Sequence, residues 1–313
     1  MYLYLIRRVL ATVPVMAIVG LFVFGLLRLA PGDPAAIIAG DLATTQDIEG
    51  IREKLGLNAP FHVQFGRWVG QLLRGDLGVS IFSNVPVTRL IGQRVEPTLL
   101  LTTTTLVLAI VVAVPMGIIA AWKAGSWIDH AMMVLAVVGF SCPVFVLGYL
   151  LIYAFSVQLQ LLPVQGYVSP SRGLGVALRS IALPTVTLGV VYIALIARMT
   201  RATLLEVLGE DYIRTANAKG LGPGTVLVAH ALKNAAVPIV TTIGVGVALL
   251  IGGAVITESV FAIPGLGRLV VDAILRRDYP IIQGVILIFS AGYVAINLVV
   301  DIVYTLLDPR IRY

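Results

Sequence analysis

Six long apolar runs without a single charged residue constrain this fold more than any other feature. The runs are Val9–Leu27, Leu99–Trp122, Ala131–Leu162, Ile181–Ala197, Ala235–Thr257 and Ile281–Val300. Each approaches or exceeds the roughly 20 residues that span a hydrocarbon core. Backbone groups in lipid must be satisfied within their own segment, so each run is predicted to be a helix. The sequence therefore predicts an all-α integral membrane protein with six transmembrane helices.

Composition excludes the soluble alternative. Only 12% of the 313 residues are charged, against about 25% in soluble domains. Arg7 and Arg8 precede the first run as they would in a signal peptide, but the run is too long for a signal-peptide core and "LAPGDPAA" is a poor cleavage site. The first span is therefore interpreted as a retained anchor.

Lys and Arg in the short connections predict the orientation. Ten lie on the side that holds the N-terminus and five on the opposite side, and cytoplasmic connections carry the excess of these residues. Both termini are therefore predicted to be cytoplasmic. The chain shows no linker or convincing repeat, so one transmembrane domain is predicted over 1–313. It has an extracytoplasmic segment at 31–96 and a cytoplasmic segment at 201–236.

The extracytoplasmic segment contains two amphipathic patterns. One has Thr45 as its predicted N-cap and Gly56 as its stop. The other repeats Phe61, Phe65 and Trp68 at helical spacing. Both predict helices that lie on the outer membrane surface or pack against the bundle.

Residues for an active centre are scarce. No Lys is followed by Ser or Thr, so the phosphate-binding loop of ATPases is absent. The single cysteine is Cys142, and the three histidines lie far apart. The sequence therefore predicts no catalytic residues, no metal site and no cofactor bound by this chain. No basic run with interleaved aromatic residues indicates a nucleic-acid partner.

Few residues within or near the spans indicate a pathway. "GFSCPVFVLG" combines a helix-kinking proline with small residues, which makes Pro143 and Phe145 candidates for a gate or pathway. Glu258, expected to begin the loop after the fifth span, is a candidate at the pore mouth. Asp301 lies near the predicted cytoplasmic edge, where ion pairing or solvation would satisfy it.

"GEDYIRTANAKGLGPG", residues 209–224, interrupts the apolar pattern with charges and glycines. Its charges would cost about 3 kcal/mol each at the membrane centre, which places it outside the bilayer. Asp211 is the predicted cap of a short helix on which Tyr212, Ala216 and Lys219 share a face, and Gly220 is a left-handed stop. Thr225 is the predicted cap of the next helix. The residues alone leave a docking element and a solvated loop equally open.

The motif resembles the cytoplasmic motif of permease subunits in ATP-binding-cassette (ABC) importers, whose general form is E-A-A-x-x-x-G. Here Arg214-Thr215-Ala216 occupies the positions of Glu-Ala-Ala, and Gly220 occupies the position of the motif glycine. This variant is similar to the form E-D-Y-x-R-T-A-x-A-K-G of the dipeptide/oligopeptide/nickel branch. Seven other stretches also resemble this branch. They are "LAPGDPA", "LGLNAPFHVQFGRWV", "GDLGVS", "SCPVFVLG", "ESVFAIPGLGRLVVDAI", "RDYPIIQG" and "LDPRIRY".

The resemblance implies a type I ABC importer transmembrane fold with a cytoplasmic coupling helix, in a bacterial inner membrane. It implies a docking element for an ATPase subunit made of Glu210, Asp211, Tyr212, Arg214, Thr215, Ala216, Lys219 and Gly220. It further implies two ATPase subunits that bind ATP and Mg, a second homologous permease forming a heterodimer, an extracytoplasmic substrate-binding protein and surrounding lipid.

The implied function is to form half of the pathway for ATP-driven uptake of peptides or a related small solute. Nickel chelates, glutathione and glycosides remain open as solutes. The main alternative is an ion-coupled secondary transporter that acts without an ATPase. An intramembrane enzyme and a non-transporting scaffold are further alternatives.

Overall fold

Helices form nearly all of the chain in the computed structural model, which describes residues 2–29, 34–39, 44–54 and 58–307. The helices are α1 Tyr2–Leu29, α2 Pro34–Ala39, α3 Thr45–Lys54, α4 Phe61–Leu73, α5 Val87–Trp122, α6 Trp127–Ser141, α7 Val144–Gln158, α8 Leu174–Leu208, α9 Asp211–Ala218, α10 Pro223–Val260, α11 Leu266–Arg276 and α12 Tyr279–Leu307. Within the described ranges, β pairing is limited to a bridge between Val79 and Pro86.

Five of the six predicted spans lie within single helices, and the third, Ala131–Leu162, covers most of α6, the break after it, all of α7 and four residues beyond α7. Four helices, α5, α8, α10 and α12, are long and apolar enough to cross a membrane, and α6 with α7 makes a fifth crossing if this bent pair is one span. The first predicted span lies in α1, whose apolar part within the described residues is Leu10–Gly25. The prediction of an all-α membrane protein is confirmed.

Two compact units divide the chain. The first comprises Glu96–Gly267 with the described residues at both chain ends, and the second comprises Leu5–Val95 and Arg268–Val294. The polar motif at 209–224 and the gate candidates all belong to the first unit. The motif residues at 30–33, 55–57 and 308–313, which include Gly56, Arg310 and Arg312, lie outside the described residues.

Helices α5 and α8 run in the same direction in the first unit. The hydroxyls of Thr104 in α5 and Thr185 in α8 form a hydrogen bond of 3.0 Å. Further along both helices, Gly117 of α5 contacts Thr200 of α8. A Cβ built on Gly117 would lie 2.6 Å from the Cβ of Thr200. Glycine is therefore what allows the two helices to approach at this point.

The bent pair α6–α7 crosses the first unit rather than turning back. The two helices are bent by 103° at a break between Ser141 and Val144. Contacts with α8 move steadily toward its N-terminus along this segment, from Asp129 with Arg201, through Gly139 with Val190, to Val168 with Ser180. From Arg201 to Ser180 an α-helix rises by about 32 Å, which matches the hydrocarbon thickness of about 30 Å. The last of these contacts lies in the loop after α7, and we interpret α6, α7 and this loop together as one broken span.

The second unit packs its aromatic residues against one another. Phe24 of α1 lies 5.3–5.4 Å, between ring centroids, from Phe61, Phe65 and Trp68 of α4. The aromatic spacing predicted for this segment therefore forms a packed helix face. Thr45 was predicted to be the N-cap of α3, but it is the first helical residue. The residue before it, Thr44, occupies the cap position, since its carbonyl accepts a helical hydrogen bond from the amide of Ile48.

Two motif stretches of the second unit meet through a buried hydrogen bond. The Ser80 hydroxyl donates to the Asp278 carboxylate at 2.5 Å, and both side chains are buried. The amide of Ile81 donates to the other carboxylate oxygen. This contact joins "GDLGVS" to "RDYPIIQG" and fixes the chain before α5 to the turn before α12.

Gly117 provides a test of the α5–α8 packing. We expect Gly117→Val to destabilise the folded chain by about 1–3 kcal/mol, because overpacking a tight contact forces backbone shifts. Thermal unfolding of the purified protein in detergent would measure the effect. Gly92→Val is the matched control, since Gly92 lies in the same helix with no atom within 4 Å of an added Cβ. Equal melting temperatures for the two variants would contradict the close approach.

Candidate functional site

The polar motif folds as the short helix α9 between α8 and α10. Glu210 occupies the N-cap position without a side-chain cap bond, and Asp211 is the first helical residue. The prediction that Asp211 caps the helix is therefore wrong. Asp211 instead places its negative charge in the first turn, where the helix dipole favours it, and pairs with Arg214 at 3.1 Å.

The C-terminus of α9 is closed as the sequence predicted. Gly220 has a φ of +81°, and its amide donates to the carbonyl of Asn217 at 2.9 Å. The amide of Leu221 reaches back to the carbonyl of Ala216 at 3.4 Å. These two bonds form a Schellman motif, in which glycine supplies the left-handed residue. The prediction of Gly220 as a left-handed stop is confirmed.

Helix α9 has an inner and an outer face. Ile213 and Ala216, which are 1% and 7% exposed, face inward. They join a buried cluster with Ala121 of α5, Leu204 of α8 and Val226 of α10. The predicted common face of Tyr212, Ala216 and Lys219 is therefore wrong, because Ala216 is turned into the protein. The residues predicted for docking are exposed except for Ala216, and the exposed ones are Glu210, Asp211, Tyr212, Arg214, Thr215, Lys219 and Gly220.

After a short turn, α10 runs from Pro223 into the fifth span as one continuous helix. Gly222 occupies the N-cap position of α10 and Pro223 its first helical position, where a missing amide costs nothing. Thr225 is helical, so the prediction that it caps a separate helix is wrong. The turns from Val226 to Leu232 are π-helical, and α10 continues from them into the fifth span.

The gate candidates of the third span lie at its break. Pro143 occupies the N-cap position of α7, and the chain turns by 103° there. Phe145 follows one residue after α7 begins and is 49% exposed. Gly148, one turn further, packs against Thr187 of α8 and Val260 of α10. The break therefore presents Phe145 at the surface while the next turn is held by two helices.

Glu258 is a buried residue of the last turn of α10. The loop position expected for it is wrong, since α10 continues to Val260. Its side chain is 0% exposed and accepts a hydrogen bond of 2.6 Å from the Thr98 hydroxyl. The same hydroxyl accepts the amide of Leu266 at 2.8 Å, and Gly265 packs directly against the carboxyl group. Glu258 thus anchors the turn between α10 and α11 to α5.

The loop after α7 is fixed at the same end of the first unit. The amide of Gly166 donates to the carbonyl of Phe261 at 3.1 Å, and the Tyr167 hydroxyl donates to Glu96 at 2.6 Å. Burial, together with this carboxylate, raises the pKa of Tyr167 far above its usual range. Tyr167 therefore stays protonated and remains a donor to Glu96 at any physiological pH.

Two further acids are buried. Asp301 is 7% exposed, so solvation does not satisfy it. Asp129, which sequence reasoning missed, forms a buried ion pair with Arg201. The signal available was an acid at the start of the third predicted span and a base after the fourth, on the same predicted side. In the part of the chain that the structure describes, no three potential metal ligands come together.

Long apolar helices, with a short polar helix between two of them, define an integral membrane protein with a polar element outside its spans. Residues 113–313 match the family described as binding-protein-dependent transport system inner membrane component, and residues 1–102 match the N-terminal region of such components. The chain belongs to this family and is a permease subunit of an ABC importer. Such subunits are multi-pass inner-membrane proteins that are not themselves catalytic and that work with ATPase and binding-protein partners.

Relatives match along the whole chain. A probable peptide ABC transporter permease of Sinorhizobium fredii is 56% identical over 313 residues, which is 100% of both chains. The glutathione transport system permease of Escherichia coli is 45% identical over 310 residues, which is 99% of each. The MetNI methionine ABC transporter in an inward-facing conformation matches with a TM-score of 0.59 at 20% identity, over 71% of this chain and 97% of that one. The type I importer fold predicted from the sequence is confirmed.

Thr98 tests the anchoring of Glu258. We expect Thr98→Val to lower stability by about 1–3 kcal/mol for each buried group that loses its partner, measured by thermal unfolding in detergent. Thr102→Val is the control, because the Thr102 hydroxyl bonds only backbone carbonyls of its own helix. A Thr98 variant as stable as the Thr102 variant would show that the network contributes nothing.

Proposed function

We propose that the outer face of α9 is the coupling element that docks on an ATPase subunit. Ile213 and Ala216 bind the helix to the rest of the chain, which leaves the exposed motif residues free for a partner. The burial of Ala216 gives it a supporting position beneath this surface. The exposed tyrosine, Tyr212, supplies the kind of side chain that dominates protein interfaces. This two-faced arrangement is the observation that carries the proposal.

The docking surface transmits the energy of a reaction that occurs elsewhere. We place ATP and Mg on two partner ATPase subunits, in line with the absence of a phosphate-binding loop from the sequence. A ligand shifts a conformational equilibrium only by its differential affinity for the two states. ATP-dependent approach of the two ATPase subunits supplies that difference at α9, and the spans then open the pathway alternately outward and inward.

A second, homologous permease subunit completes the pathway, as a heterodimer. Apolar side chains on the surface of α5 support this, among them Leu99, Val107 and Val111, all more than half exposed in the isolated chain. Lipid and the second permease would cover such surfaces. We place both termini in the cytoplasm, in keeping with six crossings and the excess of Lys and Arg on that side. The whole of 1–313 is one permease domain in this proposal.

Short peptides are the proposed solutes. The relatives at 56% and 45% identity are named for peptide and glutathione transport, and glutathione is itself a tripeptide. The competing candidate is an ion-coupled transporter acting alone. That alternative predicts uptake in vesicles under an ion gradient without nucleotide.

Tyr212→Ala tests the docking surface. We expect the variant chain to insert and fold normally but to bind the ATPase subunits at least about 30-fold more weakly, because interface tyrosines often contribute 2 kcal/mol or more. Co-purification from detergent and binding-protein-stimulated ATPase activity would measure this. Tyr293→Ala is the control, since Tyr293 is similarly exposed on α12. Unchanged ATPase binding by the Tyr212 variant would refute the assignment of α9.

Uptake measurements test the solute class. Proteoliposomes that contain the complete complex, with its binding protein outside, should accumulate labelled di- and tripeptides only when ATP is supplied inside. Glutathione, a nickel chelate and a glycoside serve as competitors. Stronger competition by the nickel chelate or the glycoside than by peptides would overturn the peptide assignment. Uptake without nucleotide would favour the ion-coupled alternative.

A further inference from the structure

The ion pair between Asp129 of α6 and Arg201 of α8 has an unusually constrained geometry. Nε and Nη2 of Arg201 donate to the two carboxylate oxygens of Asp129 at 2.5 and 2.7 Å. The amide of Gly125 donates to the same carboxylate at 3.0 Å, and the Asp129 side chain is only 2% exposed. A bidentate guanidinium–carboxylate pair fixes the orientation of both groups as well as their distance.

Arg201 lies where α8 approaches the coupling helix. It is two turns from Leu208, the last residue of α8, and only Gly209 and Glu210 separate α8 from α9. Its neighbour Thr200 forms the tight contact with Gly117 of α5. A displacement of α9 therefore reaches Arg201 through a short and closely packed stretch of helix.

Asp129 lies at the opposite end of α6 from the break in the third span. It belongs to the first turn of α6, and its own amide donates to Ser126, the N-cap residue. Helix α6 then continues to Ser141, and Cys142 is its C-cap residue. A second contact joins the same two helices, since the Arg198 guanidinium lies 4.8 Å from the ring centroid of Phe140. Helix α6 is thus attached to α8 at both of its ends.

We propose that Asp129 and Arg201 are a positioning pair that transmits movement of the α8–α9 end to α6 and so to the break at Pro143. This inference rests on the proposed docking of an ATPase subunit on α9. An apolar contact would hold the helices together as well or better, since buried ion pairs give little net stability. An apolar contact does not fix the orientation of its two side chains, whereas the bidentate pair fixes both the distance and the orientation of α6 relative to α8 at this end when α8 moves.

Pulsed electron paramagnetic resonance on the complete complex tests the inference. Spin labels would be placed at Leu135 on α6 and Leu150 on α7, both exposed, in a chain carrying Cys142→Ser. The distance between the labels would be measured with and without ATP, for the otherwise unchanged chain and for Asp129→Asn. Asp272→Asn is the control, since Asp272 forms an exposed pair with Arg268 at 4.0 Å.

We expect the ATP-dependent change in distance to occur in the unchanged chain and in the Asp272 control, and to vanish in the Asp129 variant. Uptake by the Asp129 variant should fall by about tenfold or more, with its ATPase subunits still bound and still hydrolysing ATP. A purely structural pair would instead lower the melting temperature and the yield, and the surviving complex would keep the normal change in distance. That result would overturn the inference.

Further outcomes separate the two proposals. Failure of the unchanged chain to bind ATPase subunits would overturn the docking proposal, and the relay with it. Bound ATPase subunits without any ATP-dependent change in distance would overturn the relay alone. If Asp129→Asn does not assemble, Arg201→Lys replaces it, because lysine keeps the charge and loses the bidentate geometry. A normal change in distance in that variant would equally overturn the relay.

Discussion

Hydrocarbon offers no hydrogen-bond partner to a peptide backbone, and the rest of this structure depends on that constraint. It makes helices of the six apolar runs, and it confines irregular backbone to places where other protein groups satisfy it. The break in the third span shows how this is achieved. The amide of Cys142 still donates to the carbonyl of Val138 at 3.1 Å, and Leu147 to Pro143 at 3.1 Å, so the chain turns by 103° with helical bonds on either side. Pro143 lies at the break itself, where a residue with a backbone amide would have no helical partner for it.

Small residues decide where the spans meet, because apolar side chains gain little by leaving lipid for one another. Gly117 brings α5 against Thr200 of α8, Gly139 brings α6 against Val190, and Gly244 brings α10 against Val300 of α12. In each case an added Cβ would lie 2.6 Å from the neighbouring side chain. These glycines are points of close approach between neighbouring helices, because a side chain at the same position would clash with the partner.

The sequence predicted the fold and the position of the polar motif, but not the direction in which the motif residues face. Gly220 could be predicted as a stop because the left-handed conformation is a local property of glycine. Which side of α9 is buried depends on Leu204 and Val226, which are not neighbours in the motif, so Ala216 was assigned to the wrong face. The pair of Asp129 and Arg201 was missed because 72 residues separate its members. Glu258 looked like a loop residue because its partner Thr98 lies 160 residues away.

The coupling role that we propose for α9 would depend on how little freedom of movement its connections allow. Two residues join it to α8, and four, Lys219 to Gly222, join it to α10. The Schellman bonds at Gly220 stiffen the longer connection, and Pro223 fixes the start of α10.

Ile213 and Ala216 are packed against residues of α5, α8 and α10, so α9 cannot be displaced as a loose loop. Helix α9 therefore contacts all three of these helices, and α6 contacts α8 near both of its ends. A tightly seated helix is therefore better suited to transmit a movement than a mobile loop carrying the same charged residues.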